Sequence, residues 1–224
     1  MCGRFSQSQP ADVIAQAFQV AEVPPLTPRY NIAPTQSVAT VLQTPEHQNR
    51  QFRMLHWGLI PSWAKDTKMG ARLINARAET VAEKPAFRSA FRQRRCLVLA
   101  DGFYEWQQQE SKKQKQPFYF RLSDKHPFAF AGLWECWEDG SGEKIESCTL
   151  LTTEPNELMN PIHNRMPVIL DPKDYDLWLD PKVKKPELLQ PLLRPYPAEE
   201  MTTYPVSTVV NKPSNDMAEC INSI

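Results

Sequence analysis

The stretch Cys96-Leu97-Val98-Leu99-Ala100-Asp101-Gly102-Phe103-Tyr104-Glu105-Trp106-Gln107 decides how this chain is read. Cys96–Ala100 is a short, continuously apolar run, which suits a strand covered on both faces. Asp101-Gly102 punctuates it, and the aromatic run Phe103–Gln107 follows. A lysine-rich polar turn separates that run from Phe118–Leu122, so the two predict a hairpin. Phe128–Trp134 and Ile145–Thr152 flank Asp139-Gly140-Ser141-Gly142 and predict another. Working outward, strands are expected at Val38–Leu42 and Gln51–Trp57. Pro10–Ala21 reads as an amphipathic helix with Val13, Ile14, Ala17 and Phe18 on one face. Asp171-Pro172 is an N-cap and first-turn pair for a helix through Leu179, and a shorter helix is expected over Pro186–Leu193. The 21 prolines and 7 glycines imply stiff, ordered loops. The expected fold class is α+β: a single domain over residues 1–224, dominated by antiparallel or mixed β-strands in barrel-like sheets, with a few peripheral helices.

A chain of 224 residues with 41% hydrophobic residues is long and apolar enough to bury a substantial core. No run spans a bilayer, and the first 20 residues lack a basic start followed by an apolar stretch. Five cysteines without CxxC spacing predict free thiols, a reducing compartment and a cytoplasmic location, beside the nucleoid in a bacterium. No membrane partner is expected, and the expected state is a monomer, since neither an interface stripe nor a coiled coil is visible. Net charge is zero, yet it is unevenly spread. Residues 51–100 hold ten Lys/Arg against three Asp/Glu, while residues 131–200 hold seven against fourteen. A local anionic-ligand surface needs only such an asymmetry, although opposite solvated faces would give it too.

The N-terminus carries the most distinctive chemistry. Removal of Met1 would leave Cys2 with a free α-amine and a thiol on one residue. With pKa values of roughly 7.7–8.0 and 8.5, both are close to ready near neutral pH. An aldehyde would condense with the amine, and the thiol would close the imine to a thiazolidine. The amine could also serve as the thiol's base for attack on a carbonyl. The same dipeptide is equally compatible with an ordinary buried cysteine. Glu105, between Tyr104 and Trp106, is a candidate acid–base group with a pKa raised by desolvation, or else a solvent-facing glutamate. His163, on a loop stiffened by Pro161 and Pro167, is a candidate proton shuttle or a plain surface histidine. Asn75 could hold a substrate oxygen and Arg77 could grip a phosphate. Of Trp57 and Trp63, one indole is expected in the core and the other as a stacking platform. His47, His56 and His126 show no ligand spacing, so neither a metal site nor a cofactor is expected.

In order along the chain, Cys2-Gly3-Arg4-Phe5, Arg29-Tyr30-Asn31-Ile32-Ala33-Pro34, Trp57-Gly58-Leu59-Ile60-Pro61 and Asn75-Ala76-Arg77-Ala78-Glu79-Thr80 form one set of motifs. Asp101–Trp106, Ala131-Gly132-Leu133-Trp134-Glu135, His163 with Met166-Pro167, and Val209-Val210-Asn211 continue it to about residue 213. This series resembles the SOS-response-associated peptidase (SRAP) family of abasic site processing proteins. The resemblance implies that Cys2 forms a thiazolidine with the ring-opened aldehyde of an abasic site in single-stranded DNA. It further implies that Asn75 orients the sugar, Glu105 shuttles protons, and His163 assists opening of the hemiacetal. Arg4 and Arg77 would hold phosphates, Pro34 and Trp63 would pack on bases, and Asn31 would join the DNA contacts. Self-cleavage ahead of Cys2 and a competing lyase activity belong to the same expectation. Two other readings stay open: an N-terminal-nucleophile amidohydrolase of the glutamine amidotransferase type, and a non-covalent single-stranded DNA-binding module.

Overall fold

The computed structural model describes residues 2–109 and 114–224. Among them, β1 (Phe5–Gln7), α1 (Ala11–Phe18), β2 (Arg29–Ile32), β3 (Ser37–Thr44), β4 (His47–Trp57) and β5 (Asn75–Arg77) come first. Then follow α2 (Arg88–Gln93), β6 (Arg95–Ala100), β7 (Gly102–Gln107), β8 (Gln116–Leu122), β9 (Phe128–Glu138) and β10 (Lys144–Thr153). The order ends with β11 (Met166–Pro167), α3 (Tyr175–Leu179), α4 (Pro186–Leu189) and β12 (Met201–Pro205), with short 3-10 segments among and after these elements. The fold is α+β, and both expected hairpins are present: β7 pairs with β8 and β9 with β10, each antiparallel. The lysine-rich turn between β7 and β8 lies partly outside the described residues.

Two sheets result. β12-β8-β7-β1-β2 is one antiparallel sheet. In the other, β10, β4, β3, β6 and β9 pair in succession, and β9 pairs back onto β10, closing a five-stranded barrel. The strand alternation splits the barrel's side chains between two cores. Val41, Leu97, Leu99, Ala131 and Leu151 pack under Ile14 and Phe18 of α1, Phe91 of α2, and Trp178 of α3. Val38, Leu55, Trp57, Val98, Phe130 and Leu150 instead meet Phe5, Phe103 and Phe120 of the first sheet, and Cys2 lies in this second core. Every residue of β6 is buried, as a strand covered on both faces requires. A third, smaller cluster of Tyr104, Tyr119, Val206, Val210 and Cys220 seals the first sheet's outer face under the C-terminal segment.

The helices are shorter than the sequence pattern suggests. α1 stops where Gln19 turns left-handed (φ 53°) and the Val20 N–H closes on the Ala15 carbonyl at 3.0 Å, a C-cap that precedes Ala21. Ala17 is exposed, while Ile14 and Phe18 carry the buried face. Asp171 caps the Lys173 N–H at 3.1 Å as expected, but the turn begins as a 3-10 helix before α3. Within the Pro186–Leu193 segment, α4 ends at Leu189 and gives way to a 3-10 turn over Gln190–Leu192, since Pro191 has no N–H to continue the α-helical ladder. All five cysteines are free thiols. Among the described residues, no helix is long and apolar enough to cross a membrane.

One buried cation ties the helical layer to the barrel. Arg95, at the start of β6, is 2% exposed. Its guanidinium donates to the carbonyls of Phe91 (2.8 Å), Trp178 (2.6 Å) and Asp180 (2.5 Å), the last turns of two helices. Burial pulls its pKa down to about 10, so it stays charged at neutral pH. Arg95→Ala would take a charged donor from three carbonyls and open a cavity. We expect a loss of about 3–5 kcal/mol, read as a fall of about 10 °C in the thermal midpoint. An unchanged midpoint would mean that solvent replaces those bonds.

Candidate functional site

β1 carries the N-terminus into the second core. Phe5 is paired with Ile32 on one side and Phe103 on the other, and Ser6 with Gly102. The Phe5 ring packs on Trp57 and Phe130, with centroids 5.1 and 5.7 Å apart. A buried polar network fixes this strand. The Ser6 hydroxyl donates to Asp101, the Ser8 hydroxyl donates to the same carboxylate at 2.7 Å, and the Tyr119 hydroxyl lies 2.7 Å from the Ser6 oxygen. Gly102 permits this arrangement, since a Cβ there would fall 2.0 Å from the Tyr119 hydroxyl. Burial, and next the Asp101 charge, hold the Tyr119 phenol well above its ordinary pKa, so it stays neutral.

The antiparallel register then aligns the reactive groups. Tyr104 N–H donates to the Arg4 carbonyl at 3.0 Å, and continuing the ladder sets Glu105 opposite Gly3. Side chains alternate along β7, so Glu105 shares the face of Phe103, toward the core that holds Cys2. Glu105 is 4% exposed, not a solvent-facing residue, and Cys2 is 0% exposed. Burial pushes the Cys2 thiol above its ordinary pKa, and the Glu105 carboxylate pushes it further the same way. Asn75 comes from β5, which lies parallel to β10 with Asn75 beside Leu150. The Trp57 indole N–H holds this segment at the Ile74 carbonyl (2.9 Å). Asn75 Nδ2 donates to the Cys2 carbonyl at 2.8 Å, and its Oδ1 is buried without a hydrogen-bond partner among the described residues.

His163 arrives on a turn whose N–H closes on Met159 O at 3.0 Å, with Met159 in the same core as Cys2. Gln107, at the end of β7, donates to the Pro161 carbonyl at 3.1 Å and ties this loop to the strand of Glu105. The His163 Nδ1 lies 3.0 Å from the Arg165 N–H and 3.1 Å from the Arg165 carbonyl oxygen. Nδ1 can therefore accept from the first, with the ring proton on Nε2, or donate to the second. Arg165 is fixed by Glu79, at 2.6 and 3.0 Å, and by the Thr152 carbonyl at 2.6 Å.

The candidate DNA-contacting residues fall into two groups. Trp63 is 58% exposed whereas Trp57 is fully buried, so the core indole is Trp57 and the exposed one Trp63. Arg77 is exposed and, two residues beyond Asn75, projects from the same side of β5. Pro34 is half-buried in the turn between β2 and β3. Arg4 and Asn31 differ. Arg4 Nη1 donates to Asn31 Oδ1 at 2.7 Å and to the Val210 carbonyl at 2.8 Å, with the guanidinium 5.6 Å over Trp106. Asn31 is fully buried, and its Nδ2 lies within hydrogen-bond distance of the Val210, Lys212 and Asn215 carbonyls. The side-chain atoms of Asn31, expected among the DNA contacts, bond Arg4 and the C-terminal segment. Sequence reasoning assigned no task to Asp101 or Arg165, which secure β1 and the His163 loop. An acid abutting a buried strand end was the only hint of the first. Among the described residues, no three His, Cys, Asp or Glu side chains gather as metal ligands would.

Known proteins share this architecture and sequence. The sequence model of the SOS response associated peptidase (SRAP) family matches residues 1–213. The abasic site processing protein YoqW of Bacillus subtilis is 45% identical, and the match covers 100% of both chains. The abasic site processing protein HMCES of Xenopus tropicalis is 38% identical, over 88% of this chain and 66% of its own. A crystal structure of a Bacteroides thetaiotaomicron protein superposes with a TM-score of 0.85 at 27% identity, covering all of both chains. By family match and by full-length relatives alike, this chain belongs to the SOS response associated peptidase family.

Proposed function

We propose that this protein captures abasic sites in single-stranded DNA as a covalent thiazolidine on Cys2, shielding the lesion during the response to DNA damage. The observation that carries this reading is the convergence of Cys2, Asn75 and Glu105: a nucleophilic residue held by its carbonyl, beside a buried carboxylate. The names of the relatives, abasic site processing proteins, supply the substrate class.

The chemistry needs residue 1 removed, by self-cleavage or by an aminopeptidase. The freed α-amine of Cys2 adds to the C1′ aldehyde of the ring-opened sugar, giving a carbinolamine. Glu105 donates a proton to the departing hydroxyl, water leaves, and the carbon–nitrogen double bond forms. The Cys2 sulfur then adds to that carbon, the double-bond electron pair returns to the nitrogen, which keeps its hydrogen, and the thiol proton passes to the Glu105 carboxylate, so the net reaction releases one water. His163 assists opening of the hemiacetal, and the free Oδ1 of Asn75 accepts from a sugar hydroxyl or the Cys2 amine. A thiol held protonated by burial and a nearby carboxylate needs such a local base. Arg77 and Arg4 hold phosphates, with Arg4 set by Asn31, and Trp63 and Pro34 pack against bases.

The test is direct. Protein lacking Met1, mixed with a single-stranded oligonucleotide bearing one abasic site, should give a heat- and SDS-stable shifted band. No band would sink the covalent reading. Glutamine hydrolysis without a band would favour the amidohydrolase, and salt-sensitive binding blind to the lesion would favour a passive single-strand binder.

A further inference from the structure

Trp63 stands on an arm, residues 58–72, that leaves and rejoins the barrel. The indole is 58% exposed, and the arm beneath it is bolted down from several sides. Its base closes where the Leu59 N–H donates to the Leu73 carbonyl at 3.2 Å and the Gly58 N–H to the Cys148 carbonyl at 2.8 Å. Gly58 (φ +140°) and Gly70 bring the arm's two limbs into backbone contact, since a Cβ on either would sit 2.7 Å from the other's carbonyl oxygen. At the tip, the Ala64 N–H donates to the Pro61 carbonyl at 2.8 Å, a turn with Trp63 as its third residue.

Both flanks of that turn are gripped by one hairpin. The Trp137 indole N–H of β9 donates to the Ala64 carbonyl at 2.8 Å. The Ser147 hydroxyl of β10 accepts from the Ile60 N–H, also at 2.8 Å. Trp137 is only 9% exposed, Ser147 is fully buried, and Trp137 packs with Ile60, Ala64, Met69 and Ile145 in a cluster of their own. Lys65, Lys68 and Arg72 are exposed along the same arm, so an anionic strand would meet positive charge beside the indole.

We infer that Trp137 and Ser147 are positioning residues that hold Trp63 as a preformed base-stacking platform. A stacking surface fixed before binding costs little order when the strand arrives, so its contribution survives as affinity. This inference rests on the DNA reading above. It adds the device that keeps the platform still, and it separates strand binding, on the arm, from bond formation, at Cys2.

Trp137→Phe removes the N–H donor and keeps the aromatic packing; Ser147→Ala removes the other grip should the first variant fold poorly. Amide hydrogen exchange over residues 59–72 should quicken in either variant. Affinity for a single-stranded oligonucleotide carrying a tetrahydrofuran, which lacks the aldehyde, should fall about 3- to 10-fold, against about 10-fold or more for Trp63→Ala. The adduct rate at saturating abasic oligonucleotide should not change. Trp63→Ala with Trp137→Phe should bind no more weakly than Trp63→Ala alone. Unchanged exchange, faster exchange with unchanged affinity, or additive losses would overturn the positioning role. If Trp63→Ala itself bound normally, the platform and its support would both be wrong, while a persisting SDS-stable adduct would leave the Cys2 reading standing.

Discussion

Cys2→Ala, prepared without residue 1, is expected to form no heat- and SDS-stable adduct with abasic single-stranded DNA. The variant keeps the α-amine and can still condense with the aldehyde, but it cannot close the ring. What remains is an open imine, which hydrolyses on denaturation and is visible only after borohydride trapping. The sulfur's advantage lies in being attached to the same residue: intramolecular additions of this kind benefit from effective concentrations of roughly 10⁵ M or more, which no free thiol supplies. The cost to stability should be modest, about 1 kcal/mol, because one buried sulfur is lost while Asn75 still bonds the Cys2 backbone carbonyl. Loss of adduct with an unchanged melting curve and unchanged affinity for the tetrahydrofuran oligonucleotide is therefore the expected pattern. A stable band from Cys2→Ala would place the covalent bond elsewhere.

Glu105→Gln should produce the second largest effect. The amide has nearly the same shape but cannot accept or deliver a proton at neutral pH. Positioned acid–base groups contribute about 10²- to 10⁴-fold, so adduct formation should slow by that factor while single-strand affinity stays nearly constant. A second readout follows from the electrostatics. The thiol of Cys2 is raised first by burial and then by the Glu105 charge. Removing that charge removes one upward push, so in the variant the thiol should release its proton at lower pH than in the wild type. The pH dependence of iodoacetamide labelling at Cys2 measures this, with its midpoint moving down. A midpoint that stays fixed would mean that the two groups do not sense each other. A loss confined to affinity would remove Glu105 from the chemistry.

How much was legible beforehand depended on length and periodicity. β6 through β10 announced themselves because each is five or more residues long, β6 as a continuous apolar run and the others through aromatic or β-branched residues bounded by turns. β1, β2, β5 and β11 run to four residues or fewer and carry no period. Their existence follows from long-range pairing, such as Phe5 between Ile32 and Phe103, which local pattern cannot foretell. The parallel contact of β10 with β4, which closes the barrel, is of the same kind. At the site, Cys2 and Glu105 were readable as chemical anomalies: a thiol beside the N-terminus and an acid among aromatics. Asn31 was not, because an asparagine looks the same whether it meets a ligand or three backbone carbonyls. Trp137 and Asp101 were invisible as supports, since their partners, the Ala64 carbonyl and Ser6, are distant in sequence.

The most direct test of covalent capture at Cys2 is the intact mass of the protein–oligonucleotide product, before and after borohydride. The predicted mass is that of the chain without Met1 plus the abasic oligonucleotide, less one water, and it should not change on reduction because a thiazolidine has no carbon–nitrogen double bond. A product that retains Met1, or one that gains two hydrogens on reduction, would contradict the thiazolidine.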